Sequence, residues 1–236
     1  MKTVRFFIFM SLGWIAVVVF TPLVILGSLF GHRSAFTVVR GWALLALFFI
    51  EKVCGLTYRL EGEENFPDEA CVVFMKHSSV YETLVQLVLF PMQCWVLKRE
   101  LMWLPFFGWA VWTLKPIAID RGKGSTAVKQ VISQGIKRLA AGITVIIFPE
   151  GTRMAVGETR RYGISGTLLA QEANTKILPI AHNAGHFWPR QHNAIEPGVV
   201  TFVIGEPIDP AGREVREVNL EVQNWIQAQV ARLDDS

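Results

Sequence analysis

Hydrophobic patterning divides the chain into two unequal parts. Behind a basic start at Lys2 and Arg5, Phe6 to Phe30 runs for 25 residues without a charge. As a helix it is about 37 Å long, enough to cross a bilayer. It is too long for the apolar stretch of a signal peptide and has no convincing small-residue cleavage site. A polar turn at Gly31 to Ser34 follows. Ala35 to Ile50 is a second apolar run, interrupted by Arg40 and closed by Glu51 and Lys52. The two runs predict a helical hairpin over residues 1–55 that attaches the chain to a membrane, either crossing it or dipping into one leaflet. With Lys2 and Arg5 inside, and an even number of passes if it crosses, the remainder stays in the cytoplasm.

From residue 56 onward short apolar runs alternate with polar, Gly- and Pro-bearing turns, and residues 56–236 read as one αβ domain. Leu56 to Glu61, Cys71 to Met75, Cys94 to Lys98, Pro116 to Asp120, Thr144 to Phe148, Ile177 to Ala181 and Val199 to Ile204 have strand character. Helical patterns fall at 83–90, at 125–139 (Val128, Val131, Ile132 and Leu139 on one face), at 163–173, and at the C-terminus (Val215, Val218, Val222, Trp225, Ile226, Val230). Strands that lead into helices predict the α/β class, with a mixed, largely parallel sheet flanked by helices. Leu101 to Leu114, with Trp103, Phe106, Phe107, Trp109 and Trp112 around Pro105 and Gly108, reads equally as packed core and as an interfacial surface or acyl-chain wall.

Composition sharpens this picture. Of 236 residues 51% are hydrophobic and 18% charged, and the mean hydropathy is +0.35. The apolar excess sits in the N-terminal hairpin, which fits a membrane-attached protein rather than a polytopic one. Cys54, Cys71 and Cys94 are odd in number and lack CxxC spacing, so they read as free thiols in a reducing compartment. Residues 98–161 hold 11 Lys/Arg against 4 Asp/Glu, a net of +7 in a chain whose total is +3, leaving −4 for the rest. That basic middle suits an anionic substrate or an anionic membrane face. Lys129, Lys137 and Arg138 belong to an ordinary solvated helix face.

Candidate chemistry gathers at strand ends. The run Cys71 to Met75 stops at Lys76-His77-Ser-Ser-Val-Tyr-Glu82. On one regular helix His77 and Glu82 would lie roughly 140° apart. With His77 in the turn and Glu82 in the first helical turn they can meet, the carboxylate fixing one imidazole tautomer and leaving the other nitrogen as a base. Lys98, Arg121 and Glu150-Gly151-Thr152-Arg153 close three further strands. If those strands are parallel, the clusters share one edge of the sheet, where α/β proteins place their sites. A base, its orienting carboxylate and cations suit deprotonation of a hydroxyl on a phosphorylated substrate. Ser78 and Ser79 lack the Gly-x-Ser-x-Gly setting of a nucleophile. Gly122-Lys-Gly-Ser lacks the spacing of a nucleotide phosphate loop. His182 and His186 have metal spacing only on a helix, which Gly185 and Pro189 oppose, so no metal site is expected.

These residues resemble the glycerolipid acyltransferases, in particular the bacterial 1-acyl-glycerol-3-phosphate acyltransferases, over about Tyr58 to Asp209. His77-x4-Glu82 is similar to the family's His-x4-Asp signature. Ala118-Ile-Asp-Arg121, Phe148-Pro-Glu-Gly-Thr-Arg153 and Ile177-Leu-Pro-Ile-Ala-His182 match its later blocks. Lys98 to Gly108 resembles a further family segment, and the hairpin also fits. Two departures stand out: Glu82 occupies the place of an aspartate and Lys76 that of an asparagine. Lys76 would oppose an imidazolium if it pointed inward, and is expected to point elsewhere.

The resemblance implies the glycerolipid acyltransferase αβ fold and an enzyme in phospholipid synthesis. Its substrates would be lysophosphatidic acid and acyl-CoA or acyl-carrier protein, without metal, cofactor or nucleic acid, at a bacterial inner membrane with the catalytic part facing the cytoplasm. It also implies roles: His77 as base, Glu82 as its support, Lys98, Arg121 and Arg153 on the substrate phosphate, Glu150 toward Arg153 or glycerol, and amides near Gly151 and Thr152 on the oxyanion. The alternatives are another lysolipid acceptor, such as a lyso-ornithine lipid, and a non-catalytic membrane-anchored lipid binder.

Overall fold

The computed structural model describes residues 2–120, 122, 124–190 and 193–234. In chain order its elements are α1 (Lys2–Ser28), α2 (His32–Phe49), β1 (Leu56–Glu61), β2 (Val72–Met75), α3 (Tyr81–Leu89), β3 (Gln93–Lys98), α4 (Phe107–Thr113) and β4 (Ile117–Ile119). They continue with α5 (Ser125–Leu139), β5 (Thr144–Ile147), α6 (Ser165–Glu172), β6 (Ile177–His182), α7 (Ala184–Phe187), β7 (Gly198–Ile204) and α8 (Val215–Asp234).

The seven strands form one sheet in the order β1-β7-β6-β2-β5-β3-β4. All neighbouring pairs are parallel except β6–β7, so the sheet is mixed and largely parallel. Each parallel return needs a crossover, and the helices that supply it cover both faces. Central β2 shows how the sequence serves two layers at once. Val73 and Met75 face a core shared with Tyr81, Val85, Ile180 and Phe202. Val72 and Phe74, one residue out of step, face the opposite core with Val131, Leu169, Val222 and Ile226. With both faces buried, a continuous apolar run is what such a strand requires. Under Phe74, α6 approaches so closely that a Cβ on Gly166 would lie 2.3 Å from the ring, so glycine is needed there.

The N-terminal helices lie against the sheet domain along their length. Phe6 and Phe9 meet the Trp188 ring edge-on at 6.2 and 5.7 Å. Midway, the buried Thr21 hydroxyl lies 2.7 Å from Val17 O and 3.2 Å from Phe106 O. Beyond it, Val24, Phe36 and Val39 pack with Leu87 of α3 and Leu114 after α4. The opposite side of α1 is bare: Phe7, Trp14, Ile15, Val19 and Leu26 are all exposed. Two N-terminal helical stretches, Lys2–Ser28 and His32–Cys54, are long and apolar enough to cross a membrane, with mean hydropathies of 2.4 and 1.5.

Candidate active site

Met75 is the last residue of β2, and the next five build a turn into α3. Val80, at the start of α3, offers no side-chain cap. Glu82 does this work by reaching back. Its Oε1 accepts from Ser78 N at 3.0 Å, Ser79 N at 2.9 Å and His77 Nδ1 at 2.8 Å. The Ser79 hydroxyl completes the turn, donating to Trp188 O at 2.7 Å and accepting from Tyr81 N at 3.1 Å. Ser79 is therefore fully committed to structure. From inside the helix this one carboxylate oxygen touches both the turn and the imidazole.

Glu82 is completely buried. Burial alone pushes its carboxyl up, but the His77 hydrogen bond, the nearby His182 and His77 charges and the Ser79 amide outweigh it and hold it below the usual carboxylate range. A carboxylate on Nδ1 makes Nδ1 the protonated nitrogen, so Nε2 carries the lone pair. Among the described residues Nε2 has no hydrogen-bond partner, and the ring is stacked on Phe148 at 4.1 Å and 24°.

Lys76 turns away from the imidazole. Its Nζ lies 2.6 Å from Glu150 Oε1 and 3.1 Å from Glu158 O, in the interior. Glu150 Oε2 accepts from His77 N at 2.9 Å. Burial raises the Glu150 carboxyl, opposed by Lys76 and the His77 amide. With a donor on each oxygen, the arrangement is that of the ionised pair. Glu150, expected near Arg153 or substrate glycerol, is instead spent on Lys76 and the backbone, and it is not among the residues of the cavity beside His77.

That cavity, about 520 Å³, brings together His77, Lys98, Gly151, Thr152, Arg153 and Arg190. Parallel β2, β3 and β5 end on its edge, so residues far apart in sequence meet there. Lys98 is half-exposed and pairs with Glu100 at 3.2 Å. Gly151 has φ +73°, a backbone shape that favours glycine, and its N–H donates to Phe148 O at 3.0 Å. The next two amides, of Thr152 and Arg153, make no protein hydrogen bond among the described residues. Away from these polar groups the walls are Trp42, Leu84, Leu87, Trp95 and Phe107. Four of them, Trp42, Leu87, Trp95 and Phe107, also line a smaller apolar cavity of about 70 Å³ that reaches Val17, Thr21 and Val24 of α1. Arg121 lies outside the described residues.

Comparisons with known proteins bear on the family and the fold. The profile of the family described as Acyltransferase matches residues 57–183. The chain is 42% identical over 199 residues to the 1-acyl-sn-glycerol-3-phosphate acyltransferase of Pseudomonas aeruginosa, covering 83% of this chain and 77% of that protein. The chain belongs to the acyltransferase family. It is also 30% identical over 138 residues to the human 1-acyl-sn-glycerol-3-phosphate acyltransferase alpha, covering 58% of this chain and 49% of that protein. In fold it resembles the crystal structure of the 1-acyl-sn-glycerophosphate acyltransferase PlsC from Thermotoga maritima. The TM-score is 0.81 at 22% identity, over 100% of this chain and 99% of that one.

Within this acyltransferase some residues lie outside the sequence reading. Arg190 lines the cavity and donates through Nη1 to Arg153 O at 3.1 Å. Its signal was its place in the loop after β6, a strand parallel to β2 that ends on the same edge. His182 stays in β6, where Nε2 meets Lys76 O at 2.8 Å and Nδ1 accepts from Ala184 N at 3.2 Å. One helical turn, α7, does form despite Gly185, but His186 there pairs with Asp234 at 2.7 Å. No group of His, Cys, Asp and Glu suited to a metal occurs among the described residues. Burial pushes the Cys71 and Cys94 thiols up to about 12, so neither is a nucleophile near neutral pH.

Proposed function

We propose that this acyltransferase moves an acyl chain from a thioester donor to the 2-hydroxyl of 1-acyl-sn-glycerol 3-phosphate, making phosphatidic acid for phospholipid synthesis. The observation that carries the reading is the His77–Glu82 pair in a cavity with cations at one end and apolar walls at the other. His77 Nε2 takes the hydroxyl proton as the oxygen attacks the thioester carbonyl. Glu82 holds the imidazolium. The amides of Thr152 and Arg153, next to Gly151, stabilise the negative oxygen of the tetrahedral intermediate. Collapse expels the thiolate, which takes the proton from His77. Lys98, Arg121 and Arg153 grip the substrate phosphate, and Arg190 joins them. The carrier, coenzyme A or acyl-carrier protein, is a co-substrate, and the scheme uses no metal or cofactor.

The hairpin supports a location at a membrane. Helices fastened along their length to the sheet domain cannot be surrounded by lipid, which supports a hairpin lying in one leaflet with its bare side in the hydrocarbon. Residues 1–55 then form the anchor, residues 56–236 the catalytic part, and the site faces the cytoplasm at a bacterial inner membrane. The test is acyl transfer by detergent-held protein from labelled acyl-CoA and acyl-carrier protein to a panel of lysolipids. Phosphatidic acid from lysophosphatidic acid is expected. Transfer only to a phosphate-free lysolipid such as a lyso-ornithine lipid would overturn the phosphate assignment, and lipid binding without any transfer would favour the non-catalytic reading.

A further inference from the structure

Leu101 to Leu114 is uncharged for 14 residues. The structure splits it into two faces. Phe107, Ala110, Val111 and Leu114, at helical spacing, line the small apolar cavity against α1 and α2. Trp103, Trp109 and Trp112 point the other way and are exposed by 79%, 52% and 73%. Leu104 and Phe106 are exposed beside them. At roughly 200 Å² per indole, these three rings alone approach the several hundred Å² at which an apolar patch marks an interaction site.

Three observations indicate what covers this face. It is tied to the middle of α1 by the Thr21–Phe106 hydrogen bond, and α1 bares Val18, Val19, Leu23 and Ile25 around that point. The patch is thus continuous with the side of the hairpin assigned to lipid. Its aromatic content is tryptophan, the side chain that settles at the membrane–water boundary. Its flanks carry exposed cations: Arg99 precedes it and Lys115 follows. A protein partner would explain the exposure but not the continuity with the hairpin.

We propose that residues 101–114 form a second membrane contact, with Trp103, Trp109 and Trp112 seated among the lipid headgroups of an anionic bilayer. The proposal rests on the reading of the hairpin as a one-leaflet anchor. Leu101 and Phe107 of the same segment belong to the cavity wall. Seating the tryptophans holds that wall against the bilayer, so a lipid acceptor passes from membrane to cavity without crossing water.

The test uses full-length protein and vesicles of phosphatidylcholine and phosphatidylglycerol. In vesicles carrying lipid brominated near the carbonyl, wild type should lose a larger fraction of its tryptophan emission than the Trp103→Phe/Trp109→Phe/Trp112→Phe protein. Equal fractional quenching would overturn the proposal, and this readout needs no enzyme activity. The Trp103→Gln/Trp109→Gln/Trp112→Gln protein should still float with vesicles through its hairpin. It should be about tenfold slower on vesicle-embedded lysophosphatidic acid, and unchanged on a short-chain, monomeric one. Equal rates on the embedded substrate would count against the contact. If this variant loses both activities, the quenching by the phenylalanine protein decides. Wild type failing to float would overturn the anchor reading and the contact together. Floating without acyl transfer to any lysolipid would overturn the functional reading alone.

Discussion

Lys76 and His77 are neighbours at the end of one strand, and each leads to a buried glutamate. The His77–Glu82 pair borders a cavity and, among the described residues, leaves one ring nitrogen and the buried Glu82 Oε2 without a hydrogen-bond partner. The Lys76–Glu150 pair has its charged atoms answered: Nζ by Glu150 and Glu158 O, and the two carboxylate oxygens by Lys76 and His77 N. The electrostatics differ in the same sense. Glu82 is held below its ordinary range despite burial, whereas burial leaves Glu150 above it. One pair keeps chemical capacity in reserve, and the other holds the loop of residues 149–158 against the strand. A buried ion pair is therefore not a mark of catalysis. An unsatisfied atom facing a cavity is the better sign.

Glu82→Ala should erase the difference most strongly. It strands His77 Nδ1 and two buried amides, costing about 3–5 kcal/mol of stability, and it lowers acyl transfer about a hundredfold or more. Denaturant unfolding and turnover together check this. Lys76→Met should approach it in stability, about 3–5 kcal/mol, because Glu150 is left buried without its cation. Turnover per folded molecule should fall far less. Adding Glu150→Gln should recover part of the stability, since the amide oxygen can still accept from His77 N.

The pH dependence separates the pairs by sign. Glu82 has a lowered pKa in the fold, so its contribution is complete above the ordinary carboxyl range and is lost as pH falls through the lowered value. Glu150 is raised, so it opposes stability as pH climbs from the ordinary range through its folded value. Unfolding free energies of Glu82→Gln should therefore fall less steeply in acid than those of wild type. Arg190→Ala should raise the acceptor KM about three- to tenfold, a modest effect because the side chain is exposed and screened. Phe148→Leu should cost about 0.5–1.5 kcal/mol through the lost ring stacking, with a comparably small drop in rate.

Much of this was legible along the chain, for physical reasons. Residues one apart in β2 face different cores, so its unbroken apolar run announced a strand buried on both sides. The polar cluster after it announced an open sheet edge, and the turn geometry brought His77 to Glu82 as the spacing allowed. The strand order, and the antiparallel β7 between β1 and β6, depend on long-range pairings that no local pattern records. Lys76 looked like a threat to the imidazolium because its partner lies 74 positions away. Arg190 carries no periodic signal. Residues 101–114 were undecidable because core and membrane select the same apolar side chains, and only the fold separates Val111 from Trp112.

The most direct test of the central claim measures turnover and unfolding free energy side by side for wild type and His77→Ala. The account predicts a loss of about a thousandfold or more in acyl transfer, with a stability loss of about 1–3 kcal/mol that leaves the protein folded, because the imidazole is partly exposed and Glu82 keeps the Ser78 and Ser79 amides. Phosphatidic acid formed by His77→Ala at close to the wild-type rate would contradict it. So would a loss of activity fully accounted for by unfolding.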